Sequence, residues 1–286
     1  MWIGYPLSDD EPTIIHHFAF YEDLEDDGGF VYPHFANGFA MRIELMDSPI
    51  AEDSIYFAVK TWTGFHSTRA KVVKKTWGKH VTHLQFFSDK SDPELPAVDI
   101  GVPNTKTGHC LKTVTILKEV VKRVQDLPNI KWIFLADDDT ILGVQRLCEL
   151  LSCYRGGSDI TVLGERYGYG YGKKETVGKG YDYITGGGGA ALSRGAARAL
   201  SACACASRGA PDDMALGACA LRNNISLTHS PLFHQARPQD YPREVLARDR
   251  PVSFHRHSSP EPLRVYATWF QHDDLALKRK KNKDEL

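Results

Sequence analysis

The stretch WIFLADDDT, residues 132–140, decides the fold. Five apolar residues stand in a row and end abruptly at Asp137, Asp138 and Asp139. A short apolar run with a polar boundary is typical of a strand buried in a sheet. In an extended backbone, alternate side chains point to opposite sides, so Asp137 and Asp139 share one side and Asp138 takes the other. In sheets built from alternating strands and helices, ligands bind beyond the carboxyl ends of the strands, where these aspartates stand.

Two carboxylates on one side of a strand end repel each other unless a cation lies between them. Hard divalent ions such as Mn²⁺ and Mg²⁺ prefer oxygen ligands and keep positions free for substrate phosphates. We therefore predict that Asp137 and Asp139 bind a divalent ion that bridges to a nucleotide diphosphate. The alternative is that one aspartate caps the next helix while the others are solvated. The apolar strand before the triplet favours the metal site.

Strands alternate with helices on both sides of this stretch. The predicted strands are 55–60, 81–87, 132–136 and 160–163, and the predicted helices are 67–77, 107–125 and 143–154. In the helix 107–125, apolar residues recur at spacings of three and four. This alternation predicts an α/β fold whose sheet is mostly parallel and flanked by helices.

A run of four glycines, Gly186 to Gly189, follows Thr185. Glycine lets the backbone approach a ligand closely and adopt a positive φ. A flexible turn is the alternative, and the run is not a phosphate-binding Walker sequence because no Gly-Lys-Ser/Thr follows. The apolar residues 190–192 and a helix start at Ser193 favour an ordered segment. We predict that Gly186, Gly187 and Gly188 contact the bound ligand.

Two acids follow a proline at Pro211-Asp212-Asp213, where a helix is predicted to begin. Proline in the first turn and acids near a helix N-terminus are ordinary capping chemistry, which accounts for one of the two carboxylates. The second can act as a general base that takes a proton from an acceptor hydroxyl. We predict that Asp213 has this role.

Four histidines lie late in the chain: His229, His234, His255 and His257. A single histidine is more often structural than a ligand, but a neutral imidazole here can complete the metal site. The residues 252–255 are predicted to form a short strand that delivers His255 to the site. His255 is therefore the preferred third ligand, and His234 is the second choice.

Composition excludes several classes of protein. Of 286 residues, 42% are apolar and 25% charged, and the formal net charge is −1. A nucleic-acid partner would call for a basic surplus. No apolar run approaches the length that crosses a bilayer. The six cysteines are in keeping with an oxidising compartment, and they lack the paired spacing of a zinc site. Cys203 and Cys205 are expected to have different partners.

The two ends of the chain differ from its middle. Residues 1–41 contain no Lys or Arg, and the last four residues, Lys283-Asp284-Glu285-Leu286, form a retrieval signal of the endoplasmic reticulum. No entry signal is visible at the start, so we expect the chain to be a fragment. We predict three parts: a non-catalytic remnant with linker at 1–53, a catalytic domain at 54–272 and a charged tail at 273–286.

Several motifs, taken in order, resemble the Fringe-like β1,3-glycosyltransferases. They are Lys74-Lys75-Thr76-Trp77, the aspartate triplet, the glycine run, Pro211-Asp212-Asp213 and Ser253-Phe254-His255. Within that family, GERYGYG at 164–170 and HSPLFHQARP at 229–238 resemble the members that add glucose to O-linked fucose on thrombospondin type 1 repeats. The resemblance covers about 54–270.

The resemblance implies a GT-A fold (Rossmann-like and nucleotide-sugar-binding), a UDP-glucose donor and Mn²⁺ or another divalent cation. It implies that Asp137 and Asp138 contact the donor, that Asp137, Asp139 and His255 hold the metal, and that Asp213 is the base of an inverting transfer. Implied partners are O-fucosylated thrombospondin type 1 repeat proteins and the KDEL receptor, in the lumen of the endoplasmic reticulum.

The resemblance also implies a cysteine where this chain has Trp62, so Cys110 is expected to lack its usual partner. Two other functions stay open. One is a Fringe-like β1,3-N-acetylglucosaminyl- or galactosyltransferase, and the other is a truncated, inactive binding protein of the same compartment. A phosphatase or nuclease built on the acidic triplet would need a paired nucleophile, which the sequence does not offer.

Overall fold

A mostly parallel sheet forms the centre of the protein in a computed structural model. The structure describes residues 50–171, 180–207, 209–256 and 261–284, with side chains up to 277 in the last range. The strands are β1 Ile55–Lys60, β2 His83–Ser88, β3 Ala97–Asp99, β4 Trp132–Asp137, β5 Ile141–Leu142, β6 Val162–Gly164, β7 Arg166–Tyr169, β8 Tyr181–Ile184, β9 Ala190–Ser193, β10 Leu227–His229 and β11 Ser253–Phe254. The α-helices are α1 Lys71–Lys75, α2 Cys110–Arg123, α3 Val144–Leu151, α4 Arg194–Ser201, α5 Asp212–Arg222, α6 Arg243–Arg248, α7 Pro262–Trp269 and α8 Gln271–Asp284.

Seven strands make the central sheet, in the order β10-β6-β9-β4-β1-β2-β3. Neighbours pair in parallel except at β9, which runs antiparallel to both β4 and β6. Two small sheets accompany it: β5 pairs with β11, and β7 pairs with β8. The predicted α/β class with a mostly parallel sheet is confirmed.

Strand β4 lies in the middle of this sheet and is covered on both faces, as its unbroken apolar run predicts. Trp132 and Phe134 point into one core, which α1, α3 and α7 complete. Ile133 points into the other core, which α2, α4 and α5 complete. Because both faces are closed, the polar residues that follow β4 can only emerge at its carboxyl end.

The predicted helix boundaries differ from the structure in detail. The predicted helix 67–77 contains a π-helical turn, His66–Ala70, before the short α1. The predicted helix 107–125 begins only at Cys110. Among the described residues, β9 and the β7–β8 hairpin were not predicted at all.

Two disulfides tie the helices of one face together. Cys110 at the start of α2 bonds to Cys205, and Cys203 bonds to Cys219 in α5. Cys110 was expected to lack its usual partner at position 62, and it bonds to Cys205 because the segment after α4 runs back to the start of α2. The expectation that Cys203 and Cys205 have different partners is confirmed. Cys148 is a buried free thiol and Cys153 an exposed one.

The predicted division of the chain stays a prediction. Most of the remnant at 1–53 lies outside the described residues, as do Glu285 and Leu286 of the predicted retrieval signal. Within the predicted tail, Asp274 is fully buried and accepts hydrogen bonds from the backbone of Gln145 and the hydroxyl of Tyr266. No helix among the described residues has the length and apolar character needed to cross a membrane.

Candidate active site

The aspartate triplet forms a tight turn at the carboxyl end of β4. The backbone N–H of Thr140 donates to the carbonyl of Asp137 at 3.1 Å, and the Thr140 hydroxyl accepts from the N–H of Asp137 at 3.1 Å. The same hydroxyl donates to the carbonyl of Gly187 at 2.8 Å. Thr140 therefore fastens the triplet to the glycine run, two motifs that lie far apart in the sequence.

Strand β5 follows the turn and brings His255 to the triplet, because it pairs with β11 at Ser253–Phe254. Ligand atoms of Asp137, Asp139 and His255 all lie within 4.8 Å of one another. The Nε2 of His255 is 3.0 Å from Oδ1 of Asp139. Its Nδ1 lies 3.1 Å from the carbonyl of Gln235, which leaves Nε2 facing the carboxylates. Two carboxylates and one imidazole fit a divalent ion such as Mn²⁺ or Mg²⁺.

Asp138 points elsewhere. Its carboxylate accepts the hydroxyl of Thr61 at 2.7 Å and lies 3.5 Å from the Arg69 guanidinium. Burial raises the pKa of Asp138 to about 7, although the Thr61 hydrogen bond lowers it. The extended backbone assumed for the triplet ends at Asp137, so the grouping of Asp137 with Asp139 arises from the turn, and Arg69 contacts both Asp138 and Asp139.

The glycine run packs against the candidate metal ligands. A Cβ at Gly187 would lie 2.3 Å from the ring of His255, so only glycine fits there. The N–H of Gly188 donates to the side chain of Gln235 at 3.0 Å. Gly189 has a φ of +85°, a left-handed conformation that glycine adopts without cost. Gly186 has open space around its Cα and lines a cavity.

That cavity is lined by residues from three motifs that the sequence predicts to form the site. Asp137, Gly186 and Asp213 line it, together with Lys60 and Asp212. Asp213 stands in the first turn of α5, where its own Oδ1 accepts the N–H of Met214 at 2.7 Å. Burial and the charge of Asp212 raise the pKa of Asp213 above its usual range. A carboxylate with a raised pKa is the better proton acceptor.

Sequence reasoning missed two cations at the site. Lys60 ends β1 directly opposite Asp137, and its Nζ is 3.0 Å from Oδ1 of Asp137. Arg69 donates to Oδ2 of Asp139 at 2.8 Å and lies over the ring of Phe65. Lys60 could have been predicted from the sequence, because it stands at the end of a buried strand and neighbouring parallel strands end at the same edge of the sheet. Arg69 has no such signal in the sequence.

The other histidines lie elsewhere. His234 is buried, its Nδ1 is 3.1 Å from the carbonyl of Leu232, and its ring packs on Tyr241 and Phe254. It is not among the three grouped ligands found in the described part of the chain. The Nδ1 of His229 accepts from the N–H of Arg166 at 3.1 Å. His257 lies outside the described residues.

The chain is similar in sequence to a known protein family. A family model described as Fringe-like matches residues 50–274. The chain is 38% identical to a β-1,3-glucosyltransferase of Mus musculus over 94% of its own length, and 38% identical to that of Homo sapiens over 96%. In each case it spans 66% of the relative, somewhat less than two thirds.

More distant similarity extends to other transferases. The chain is 26% identical to the β-1,3-N-acetylglucosaminyltransferase manic fringe of Danio rerio, over 69% of this chain and 62% of that protein. A solved glycosyltransferase involved in glycosylation of the PBCV-1 major capsid shares 11% identity, with a TM-score of 0.43 over 79% of this chain and 98% of the other. The family model covers most of the chain by itself, and on that match the chain belongs to the Fringe-like family.

Proposed function

We propose that this chain is a metal-dependent, inverting β1,3-glucosyltransferase that moves glucose from UDP-glucose to O-linked fucose on thrombospondin type 1 repeats. The observation that carries the proposal is the meeting of Asp137, Asp139 and His255 in one group, with Asp213 on the cavity that Asp137 lines. The similarity to the two β-1,3-glucosyltransferases supports the choice of glucose as the transferred sugar.

Asp137, Asp139 and His255 would hold the divalent ion. The ion supplies positive charge where the diphosphate of the donor gains negative charge as it leaves. Thr140 and Gly187 keep the ligands in place, since they fasten the aspartate turn to the glycine run and leave room for the His255 ring. Asp137, Asp138 and residues 186–188 are proposed to contact the donor.

Asp213 is proposed to accept the proton of the fucose 3-hydroxyl. The freed oxygen forms a bond to the anomeric carbon of glucose while the bond from that carbon to the diphosphate breaks. UDP leaves with the electron pair, and the proton stays on Asp213. One displacement of this kind inverts the anomeric centre. A buried carboxylate with a raised pKa suits the step, because it holds the proton more readily than a solvated one.

A direct assay tests the proposal. The purified chain is incubated with UDP-glucose, Mn²⁺ and an O-fucosylated thrombospondin repeat, and the product is weighed by mass spectrometry. We expect one added hexose, no addition to the repeat without fucose, and loss of transfer when EDTA removes the metal. Asp137→Asn and Asp139→Asn are expected to lose Mn²⁺ binding in calorimetry. A folded chain that adds no hexose would contradict the proposal.

Parallel arms with UDP-N-acetylglucosamine and UDP-galactose address the choice of donor. Fringe relatives at 26% identity transfer N-acetylglucosamine by name, so this donor is the relevant competitor. These sugar donors differ from one another by single chemical groups. A polar binding site distinguishes them because the wrong sugar leaves some of the site's hydrogen-bonding groups unpaired. Faster transfer from either competitor than from UDP-glucose would replace glucose in the proposal and keep the rest.

From the sequence Lys283 to Leu286 we propose that the protein resides in the lumen of the endoplasmic reticulum and binds the KDEL receptor. The two disulfides support an oxidising compartment, where such bonds persist. When a secretory entry signal is fused to the start of the chain, deletion of these four residues is expected to move the protein from cell extract to culture medium. Unchanged retention would exclude the KDEL receptor as a partner.

A further inference from the structure

The β7–β8 hairpin carries four tyrosines on one face. Tyr167 pairs with Tyr183 across the strands, and Tyr169 pairs with Tyr181. The ring centroids of the two pairs are 6.1 Å and 5.7 Å apart, within the range of favourable aromatic contacts. We call this surface, Tyr167, Tyr169, Tyr181 and Tyr183, the tyrosine face.

The opposite face of the hairpin carries an ion pair and one buried residue. Arg166 and Asp182 form an ion pair there at 3.4 Å, and Ile184 is buried and lines the cavity. Alternate residues of a strand point to opposite sides, so the four tyrosines share the side opposite to Arg166, Asp182 and Ile184. Tyr167 and Tyr169 are 43% and 44% exposed. Contiguous exposed aromatic rings in a folded protein are a common mark of a binding surface.

The tyrosine face lies beside the proposed base. Strand β8 packs directly on α5, where a Cβ at Gly217 would lie 2.4 Å from the Cβ of Tyr183. Burial raises the pKa of Tyr181 and of Tyr183, and the charge of Asp213 raises both further. Gly217 lies about one turn after Asp213 on α5, so Tyr183 stands against the helix that carries Asp213.

The same face reaches toward the metal-binding end of the site. The hydroxyl of Tyr167 lies 3.4 Å from Oε1 of Glu165, whose other oxygen accepts the N–H of Gln235. Gln235 in turn contacts His255 through its carbonyl. Tyr167 is thus linked through Glu165 and Gln235 to His255.

We propose that the tyrosine face binds the terminal pyranose of the acceptor, whose C–H face stacks on the rings while its hydroxyl reaches Asp213. The inference rests on the proposed function, because it assigns the acceptor side of that reaction. Aromatic rings suit a sugar, since they contact its apolar face and offer phenolic hydroxyls to its polar rim. A general base must lie within hydrogen-bond reach of the hydroxyl it deprotonates, which places the acceptor next to Tyr181 and Tyr183.

The test uses the double variant Tyr181→Ala/Tyr183→Ala, and Tyr171→Ala is its matched control. Tyr171 is an exposed tyrosine of the same segment that packs over Gly168 and Gly180 and interacts with Asp182, away from the tyrosine face. We expect the KM for the fucosylated repeat to rise about tenfold in the double variant, from two ring contacts. The Kd for UDP-glucose should stay within about twofold of the parent in both proteins.

A binding measurement separates this proposal from the proposed reaction. Saturation-transfer NMR with methyl α-fucoside, UDP and Mg²⁺ is expected to give signals for the parent chain and the Tyr171→Ala protein, but not for the double variant. Tyr181→Phe/Tyr183→Phe, which keeps both rings, should restore most of the signal. Thermal unfolding checks that each variant is folded.

Three results would overturn the proposal: no fucoside signal from the parent chain, an unchanged signal from the double variant, or equal loss in the Tyr171→Ala control. Loss of binding to the repeat with and without fucose would show that the surface docks polypeptide instead. Failure of glucose transfer with an intact fucoside signal would contradict the proposed reaction and leave the acceptor site standing.

Discussion

The ammonium of Lys60 lies 3.0 Å from Oδ1 of Asp137 and also contacts Oδ2 of Asp212, so one cation joins β4 to the start of α5. Burial lowers the pKa of Lys60, but the two carboxylates outweigh it and raise the pKa above its usual range. The same pairing holds the pKa of Asp212 well below its usual range, against the effect of burial. Thr113 adds a hydrogen bond to Asp212 at 2.6 Å.

Lys60→Met is expected to destabilise the chain by about 1–3 kcal/mol, because it leaves two partly buried carboxylates without their cation. Urea unfolding measures the loss. Adding Asp212→Asn to Lys60→Met removes one uncompensated charge and should recover part of it. Lys71→Met, at an exposed lysine of α1, is the control and should stay within about 0.5 kcal/mol of the parent. A Lys60→Met protein as stable as the parent would show that the pairing is dispensable.

Gly187→Ala is expected to weaken Mn²⁺ binding without changing a ligand. The new Cβ would lie 2.3 Å from the His255 ring and push it away from Asp139. Calorimetric titration should show a loss of roughly 10- to 100-fold, as for other residues that orient metal ligands. Gly186→Ala, with open space around the new methyl, should keep its Mn²⁺ affinity. Equal Mn²⁺ affinity in the Gly187→Ala and Gly186→Ala proteins would show that Gly187 does not position His255 for metal binding.

Asp213→Asn is expected to lower kcat by about 10²- to 10⁴-fold, since the amide accepts no proton. The Kd for UDP-glucose should change little, because the proposed role of Asp213 concerns the acceptor. Steady-state kinetics and calorimetry on the same preparation measure both quantities. An unchanged kcat in the Asp213→Asn protein would show that another residue is the general base.

The dependence of kcat/KM on pH should report the raised pKa of Asp213. Only the ionised carboxylate accepts a proton, so activity rises as pH increases through that pKa. The acidic limb should therefore lie above the usual range of an aspartate. The charge of Asp212 contributes to the shift after burial, so Asp212→Asn should move the limb to lower pH. A limb that stays in place would show that Asp212 does not act on the titrating group.

Removal of the Cys110–Cys205 disulfide by the double change to serine is expected to cost roughly 2–5 kcal/mol of unfolding free energy. The bond spans 95 residues, and a cross-link over a long segment restricts the unfolded chain strongly. Cys153→Ser, at an exposed free thiol, is the control. Equal unfolding midpoints in denaturant for all three proteins would show that the bond adds no stability.

The sequence predicts the parts of the site that depend on local pattern. The apolar run before Asp137 predicts β4, and the run of residues 252–255 predicts the strand that carries His255. Of the two acids at 212–213, helix capping accounts for one, and the sequence predicts Asp213 as the general base. In the structure Asp212 is held by Lys60, whereas Asp213 has no ion pair with any basic residue in the described part of the chain.

The rest depends on contacts between distant segments, which local pattern does not encode. Ala190–Ser193 is a short apolar run without alternation, so its antiparallel place between β4 and β6 could not be predicted. The pairing of Cys110 with Cys205 follows from how the segment after α4 returns to α2. Arg69, which contacts Asp139, lies in the π-helical turn before α1, and the sequence did not predict that turn.

The pairing of β5 with β11 also sets when the site can form during synthesis. Leu142 and Ser253 are partners, although more than 100 residues of chain separate them. At about 5–20 residues per second, a ribosome needs roughly 5 to 20 s to pass from one strand to the other. Throughout that interval Asp137 and Asp139 have been made but His255 has not. The nascent chain therefore cannot complete this group of three ligands until β11 has been made.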